Sequence, residues 1–330
     1  MDQNHKPSRK AAFRSFLRGD HAVNPYAAWL IFASYALLLL SRFIDTFLLT
    51  EENAYLSTIL LQLLIFPIPT YLYIRLRGKA LSGKLALVPP ALSHLFLILS
   101  AILMLISGCT LLALICGMMN AQPSFTLYDT FSSIHDGTAE ASIRLILAYG
   151  LLPAFCEELM FRSILCAEYE KHGILYASLL SSLFFAFLHF DLTALPVYLF
   201  AGLLLAAVRY VTRSAIASMI VHLGYNLFGI FVQAGLSGYC RSTGSIGLLV
   251  ILLIALLLLS SAFFCGEVSR ILKRRGTRSL LDDPQALSTP GLNTIPRKKW
   301  PVTIRNAFAC PQAVGAVLLW LFGVILNLIK

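Results

Sequence analysis

Two adjacent carboxylates and a guanidinium, Glu157, Glu158 and Arg162, lie inside an apolar stretch that runs from Leu145 to Cys166. Translocon scales place a single Asp, Lys or Arg at the bilayer centre at roughly 2.5–3.5 kcal/mol, so three ionisable groups within six residues need partners, water or a cavity. In a helix, positions i and i+4 share a face, which lets Glu158 and Arg162 pair; such a pair offsets much of its own desolvation. Glu157 is rotated by about 100° from Glu158 and is left as a free carboxylate. Pro153, four residues earlier, removes a backbone hydrogen bond and predicts a kink that opens the helix beside Glu157.

Two more polar groups of residues interrupt later apolar runs. One is Phe185-Ala186-Phe187-Leu188-His189; the other is His222-Leu223-Gly224-Tyr225-Asn226, with His222 and Asn226 again four apart. A carboxylate and an imidazole can take protons from an attacking water. A second imidazole and a carboxamide can donate to a developing oxyanion. Glu157, His189 and His222 are also an acceptable zinc ligand set by type. Cys156 adjoins the glutamates, but nothing around it activates a thiol, and a buried cysteine behaves as a small hydrophobe.

The elements that must carry these groups are membrane helices. Of 330 residues, 58% are hydrophobic and 13% charged, against about 25% charged in ordinary globular chains, and the mean hydropathy is +0.77. Apolar runs occupy 26–41, 54–74, 91–119, 143–167, 174–190, 194–208, 214–234, 246–265 and 311–329. With about 20 apolar residues needed per span, the expectation is an all-α, polytopic transmembrane bundle of about eight spans, the ninth at the C-terminus being a further candidate. The short runs at 174–190 and 194–208 read as a tight hairpin turning between Asp191 and Pro196. The expected organisation is a basic cytoplasmic tail (1–25), a bundle (26–265), a second basic cytoplasmic segment with little order (266–306) and a C-terminal candidate span (307–330). Residues 1–24 lack the pattern of a cleavable signal, so the first helix is expected to be retained.

The net charge of +10 does not require nucleic acid. Lys6, Arg9, Lys10, Arg14 and Arg18 precede the first run, Arg75, Arg77, Lys79 and Lys84 follow the second, and a further group from Arg270 to Arg305 follows the eighth. Most basic residues thus fall on one side, which by the positive-inside rule puts the N-terminus in the cytoplasm. The partners expected are the bilayer, with anionic headgroups near the basic segments, and a membrane-associated substrate. The seven cysteines contain no CxxC pair and make no disulfide framework.

EExxxR, then FxxxH, then HxxxN, each on its own span and in that order, resembles the CPBP family of intramembrane endopeptidases. This family includes the type II CAAX prenyl endopeptidases and bacterial proteins linked to bacteriocin processing and self-immunity. The resemblance covers residues 143–232. It implies hydrolysis of a peptide bond in a membrane-associated protein or peptide. Glu157 and His189 would activate water, His222 and Asn226 would form the oxyanion hole, and Glu158 and Arg162 would support the site. A glutamate-type mechanism without a cofactor is expected, the alternative being zinc on Glu157, His189 and His222. Chain size and short loops point to a bacterial cell membrane and to an unprenylated substrate. Two rivals come from other classes: a proton-coupled transporter using the Glu/His cluster as a relay, against which the lack of an internal repeat speaks, and a non-catalytic immunity or scaffold protein. The charge-derived topology puts His189 near the outer end of its helix, away from the mid-depth Glu157 and His222.

Overall fold

The computed structural model describes residues 25–48, 54–119, 138–232, 235, 242, 246–282 and 300–329. The basic tail 1–24, the polar segment 120–137 and residues 283–299 of the second basic segment lie outside the described residues. Among the described residues there is no strand: the protein is a helical bundle, as a chain in lipid must be if every backbone N–H and C=O is to be satisfied within its own segment.

The helices in chain order are α1 (Pro25–Leu48), α2 (Ala54–Ile65), α3 (Pro67–Arg77), α4 (Leu95–Met119), α5 (Ala139–His172), α6 (Ile174–Leu188), α7 (Leu195–Thr212), α8 (Ala215–Phe231), α9 (Ile246–Arg274), α10 (Trp300–Ala307) and α11 (Pro311–Ile329). Among the described residues six stretches are long and apolar enough to cross a membrane: Thr58–Arg77, Leu92–Gly117, α5, α7, α9 and α11. Tyr26–Ser41, α6 and α8 are shorter apolar helices. The protein is an integral membrane protein.

Three details differ from the sequence expectation. The second apolar run is two helices, because Pro67 and Pro69 cannot continue the hydrogen bonding of α2, and the chain breaks at Phe66. The eighth apolar run becomes α9, which runs on to Arg274, so Arg270, Lys273 and Arg274 sit on its last turns, favourably placed against the negative end of the helix dipole. The second basic segment also contains α10 near its end. Its expected lack of order therefore does not hold for 266–274 or 300–306.

The core is one continuous apolar cluster shared by α1, α4, α5, α6, α7 and α8. Helix α8 packs on α4, α5 and α7, α6 pairs with α7, α9 lies along α4, and α11 lies along α1. Side-chain caps fix two entries to the site helices: Thr138 Oγ1 accepts from the Ala141 N–H at 3.1 Å and Ser214 Oγ from the Ala217 N–H at 3.1 Å. Gly202 on α7 allows a close approach to α6, since a Cβ there would lie 2.8 Å from Ser182 Cβ.

Candidate active site

Helix α5 carries the two glutamates, and it is not a regular α-helix. π-helical turns at Ile146–Leu151 and Leu159–Leu165 flank the regular segment Leu152–Glu158, in which Pro153 stands in the first turn. The proline has no N–H to give to the preceding turn, and a π turn reroutes the neighbouring hydrogen bonds. The expected distortion takes this form. Asn226 Nδ2 on α8 donates to the Gly150 carbonyl at 3.1 Å, fastening α8 to the first π turn.

Below Glu157 lies a fully buried ionic group. Arg162 Nη1 donates to Glu158 Oε1 at 2.9 Å and Arg162 Nη2 to the Gly202 carbonyl at 3.1 Å, with both side chains inaccessible. The pair is local, and i,i+4 spacing accounts for it. A tertiary contact is added to it: His222 Nδ1 lies 3.0 Å from the same Glu158 oxygen. Glu158 therefore joins the EExxxR helix to the HxxxN helix, a link that spacing could not reveal. Beneath it, Arg209 Nε donates to the Arg162 carbonyl at 3.1 Å and Arg209 pairs with buried Glu170 at 3.1 Å. No motif pointed to Arg209 or Glu170.

Phe185 is the aromatic hub. Its ring stands edge-on to His189 (5.2 Å), His222 (6.0 Å) and Phe161 (5.5 Å), and the Arg162 guanidinium lies 4.3 Å from its centre. Phe184 and Phe185 are both buried, so they pack within the bundle and do not face lipid. His189, just past the end of α6, brings Nδ1 to 3.0 Å from the Phe185 carbonyl and stacks face to face on Tyr198 of α7, ring centres 3.6 Å apart at 13°. Tyr198 was not legible in the sequence, because stacking across two helices leaves no spacing signature.

Glu157, His189, His222 and Asn226 all line one cavity of about 290 Å³. Its wall extends from Pro153 and Glu157 to Asp191 and Thr193, so the helix-end position of His189 does not separate it from the mid-depth groups. The apolar wall comes from Leu105, Cys109, Val197, Ala201 and Leu205. Glu157 makes no hydrogen bond to another described residue, whereas Glu158 Oε1 is held by both Arg162 and His222. Among the described residues no group of three or more His, Cys, Asp or Glu side chains is disposed to hold a metal ion. His189 and His222 each use Nδ1 within the protein, on a backbone carbonyl and a carboxylate, which keeps Nε2 for another partner.

Chemically, a carboxylate without a partner, two imidazoles each with one nitrogen in use, and an anchored carboxamide face a partly apolar space between helices. A carboxylate and an imidazole on one cavity can take protons from a bound water. Residues 139–228 match the family described as type II CAAX prenyl endopeptidase Rce1-like. That segment is thus similar to a CAAX protease-like domain, and it contains the three motifs. No curated protein and no solved structure gives a match.

Proposed function

We propose that the protein is an intramembrane endopeptidase that hydrolyses a peptide bond of a membrane-associated protein or peptide, with Glu157 as the general base. One observation carries this reading: Glu157, His189, His222 and Asn226 open on a single cavity, and Glu157 makes no hydrogen bond to another described residue, whereas Asp191 in the same wall accepts from the Ala194 N–H. Water bound between Glu157 and His189 loses a proton to the carboxylate as its oxygen attacks the scissile carbonyl carbon. The Phe185 carbonyl can only accept, so His189 Nδ1 carries a hydrogen, and neutral His189 turns a lone pair on Nε2 toward that water. The oxyanion is stabilised by the second N–H of Asn226, its first being given to Gly150, and by His222 in its doubly protonated form, which donates Nδ1–H to Glu158 and Nε2–H to the oxyanion. The proton held by Glu157 then passes to the departing amine as the C–N bond breaks.

Glu158 is assigned a positioning role. As a carboxylate that accepts from both Arg162 and His222, it fixes the His222 ring so that Nε2 is the atom turned to the reaction. The mechanism has no step through a metal. A free carboxylate remote from any gathered ligand set favours the peptidase over the transporter and the scaffold. In the same reading the N-terminus is cytoplasmic, the bundle and basic segments divide at the boundaries given above, and the host membrane is bacterial. The test is a library of bilayer-anchored peptides, with and without a prenyl group, offered to the purified protein in liposomes. Cleavage by the wild type that is lost in Glu157→Gln and insensitive to chelator supports the mechanism; equal cleavage by Glu157→Gln overturns it.

A further inference from the structure

The backbone immediately after His189 is in an unfavourable conformation. Phe190 has φ +52°, a left-handed setting that an aromatic residue adopts only when its surroundings impose it, at a cost of order 1–3 kcal/mol. Its ring is fully buried, edge-on to Tyr35 of α1 at 5.7 Å. The imposing surface is supplied by α11, which lies outside the matched segment 139–228. Trp320 stacks on Phe187 with ring centres 4.2 Å apart at 21°. Gly323 presents bare backbone to the Phe190 ring, close enough that an added Cβ would come within 2.7 Å of Phe190 Cγ. Asn327 Nδ2 donates to the Phe190 carbonyl at 2.7 Å. Residues 320, 323 and 327 follow the i, i+3, i+7 spacing of one helix face. That face grips the chain two residues before and one residue after His189.

We infer that α11 is a built-in clamp that sets the position of His189, with Trp320, Gly323 and Asn327 as positioning residues; this rests on the reading of His189 as part of the hydrolytic site. The Phe185 carbonyl and Tyr198 fix the tilt of the imidazole from the α6–α7 side, but neither holds the turn that carries it. The α11 face, opposite Tyr35 of α1, opposes the relaxation of Phe190 toward negative φ. Such a relaxation would swing the His189 backbone and withdraw Nε2 from the cavity. Displacement of a catalytic group by about 1 Å can cost on the order of 100-fold in rate.

The full-length chain, labelled with ¹⁵N-histidine, is reconstituted in nanodiscs, and the His189 ring resonances are identified by their loss in His189→Gln. Asn327→Leu removes the donor, and Gly323→Ala presses on Phe190 by an independent route. Both are expected to shift the His189 resonances while leaving those of His222 in place, and to lower kcat on any cleaved bilayer-anchored peptide by about 10- to 100-fold with KM within about twofold. Leu318→Ala, on the exposed side of α11, should do neither. Unmoved His189 resonances in both clamp variants overturn the inference, as does an equal effect of Leu318→Ala. If the wild type cleaves none of the peptides, the hydrolase reading fails by itself, and the resonances still decide whether the clamp exists.

Discussion

Replacing Arg162 by Met separates the two roles of the buried ionic group. The guanidinium is inaccessible, donates to Glu158 at 2.9 Å and to the Gly202 carbonyl at 3.1 Å, and lies over the Phe185 ring. Met fills a similar length of cavity but leaves Glu158 as a buried carboxylate with His222 as its one remaining partner. Removing one member of a buried pair typically costs about 3–5 kcal/mol, most of it the desolvation of the charge left behind. The double variant Arg162→Met/Glu158→Leu removes both charges, and the coupling between the two sites should be about 2–3 kcal/mol, at the upper end for contacting residues. Its stability should therefore be well above that of the single Arg162 variant. Its activity should not recover, because His222 Nδ1 has lost the acceptor that orients the ring. Reversible unfolding in mixed micelles, measured for wild type, both single variants and the double, supplies the cycle; cleavage of the same anchored peptide supplies the activity. A coupling below about 0.5 kcal/mol would mean that the pair behaves as an exposed one. A double variant that cleaves like wild type would refute the role given to Glu158.

Glu157→Gln should lower the cleavage rate by at least about 100-fold. Its melting temperature should stay within a few degrees, since Glu157 holds no hydrogen bond to another described residue; a large loss of stability would recast it as structural. Tyr198→Phe should keep near wild-type cleavage and Tyr198→Ala should lose about tenfold if stacking on His189 is what matters; the same loss in both would instead assign the role to the hydroxyl. Gly202→Val should destabilise by about 1–3 kcal/mol through overpacking against Ser182, read from the unfolding midpoint. Arg209→Met should cost about 3–5 kcal/mol by stranding Glu170, with no change in KM for whatever enzyme remains folded.

The sequence reached furthest where the physics is local. Apolar runs of the right length had to become helices, because lipid offers the backbone no other partner. The Glu158–Arg162 pair followed from i,i+4 geometry within one helix. The three motifs marked the residues that line the cavity, and the domain match at 139–228 falls on the stretch they span. The break at Phe66 was readable from Pro67 and Pro69, yet it was hidden inside a continuous apolar run.

What the tertiary structure alone decided is how the helices are set in rotation and depth. Each π turn in α5 adds a residue to a turn and so rotates the residues beyond it by about 100° relative to an unbroken helix. Hydropathy does not register that change, and it bears on where Glu157 and Glu158 face. The contacts that complete the site join residues far apart in the chain: His222 to Glu158, Tyr198 to His189, and Asn327 to the turn after His189. Such pairs arise from packing of whole helices, a sum over many weak apolar contacts whose outcome no short window of residues contains. The types of the reactive groups were thus written in the chain, while their convergence, and the part taken in it by a C-terminal helix with no motif, came only with the fold.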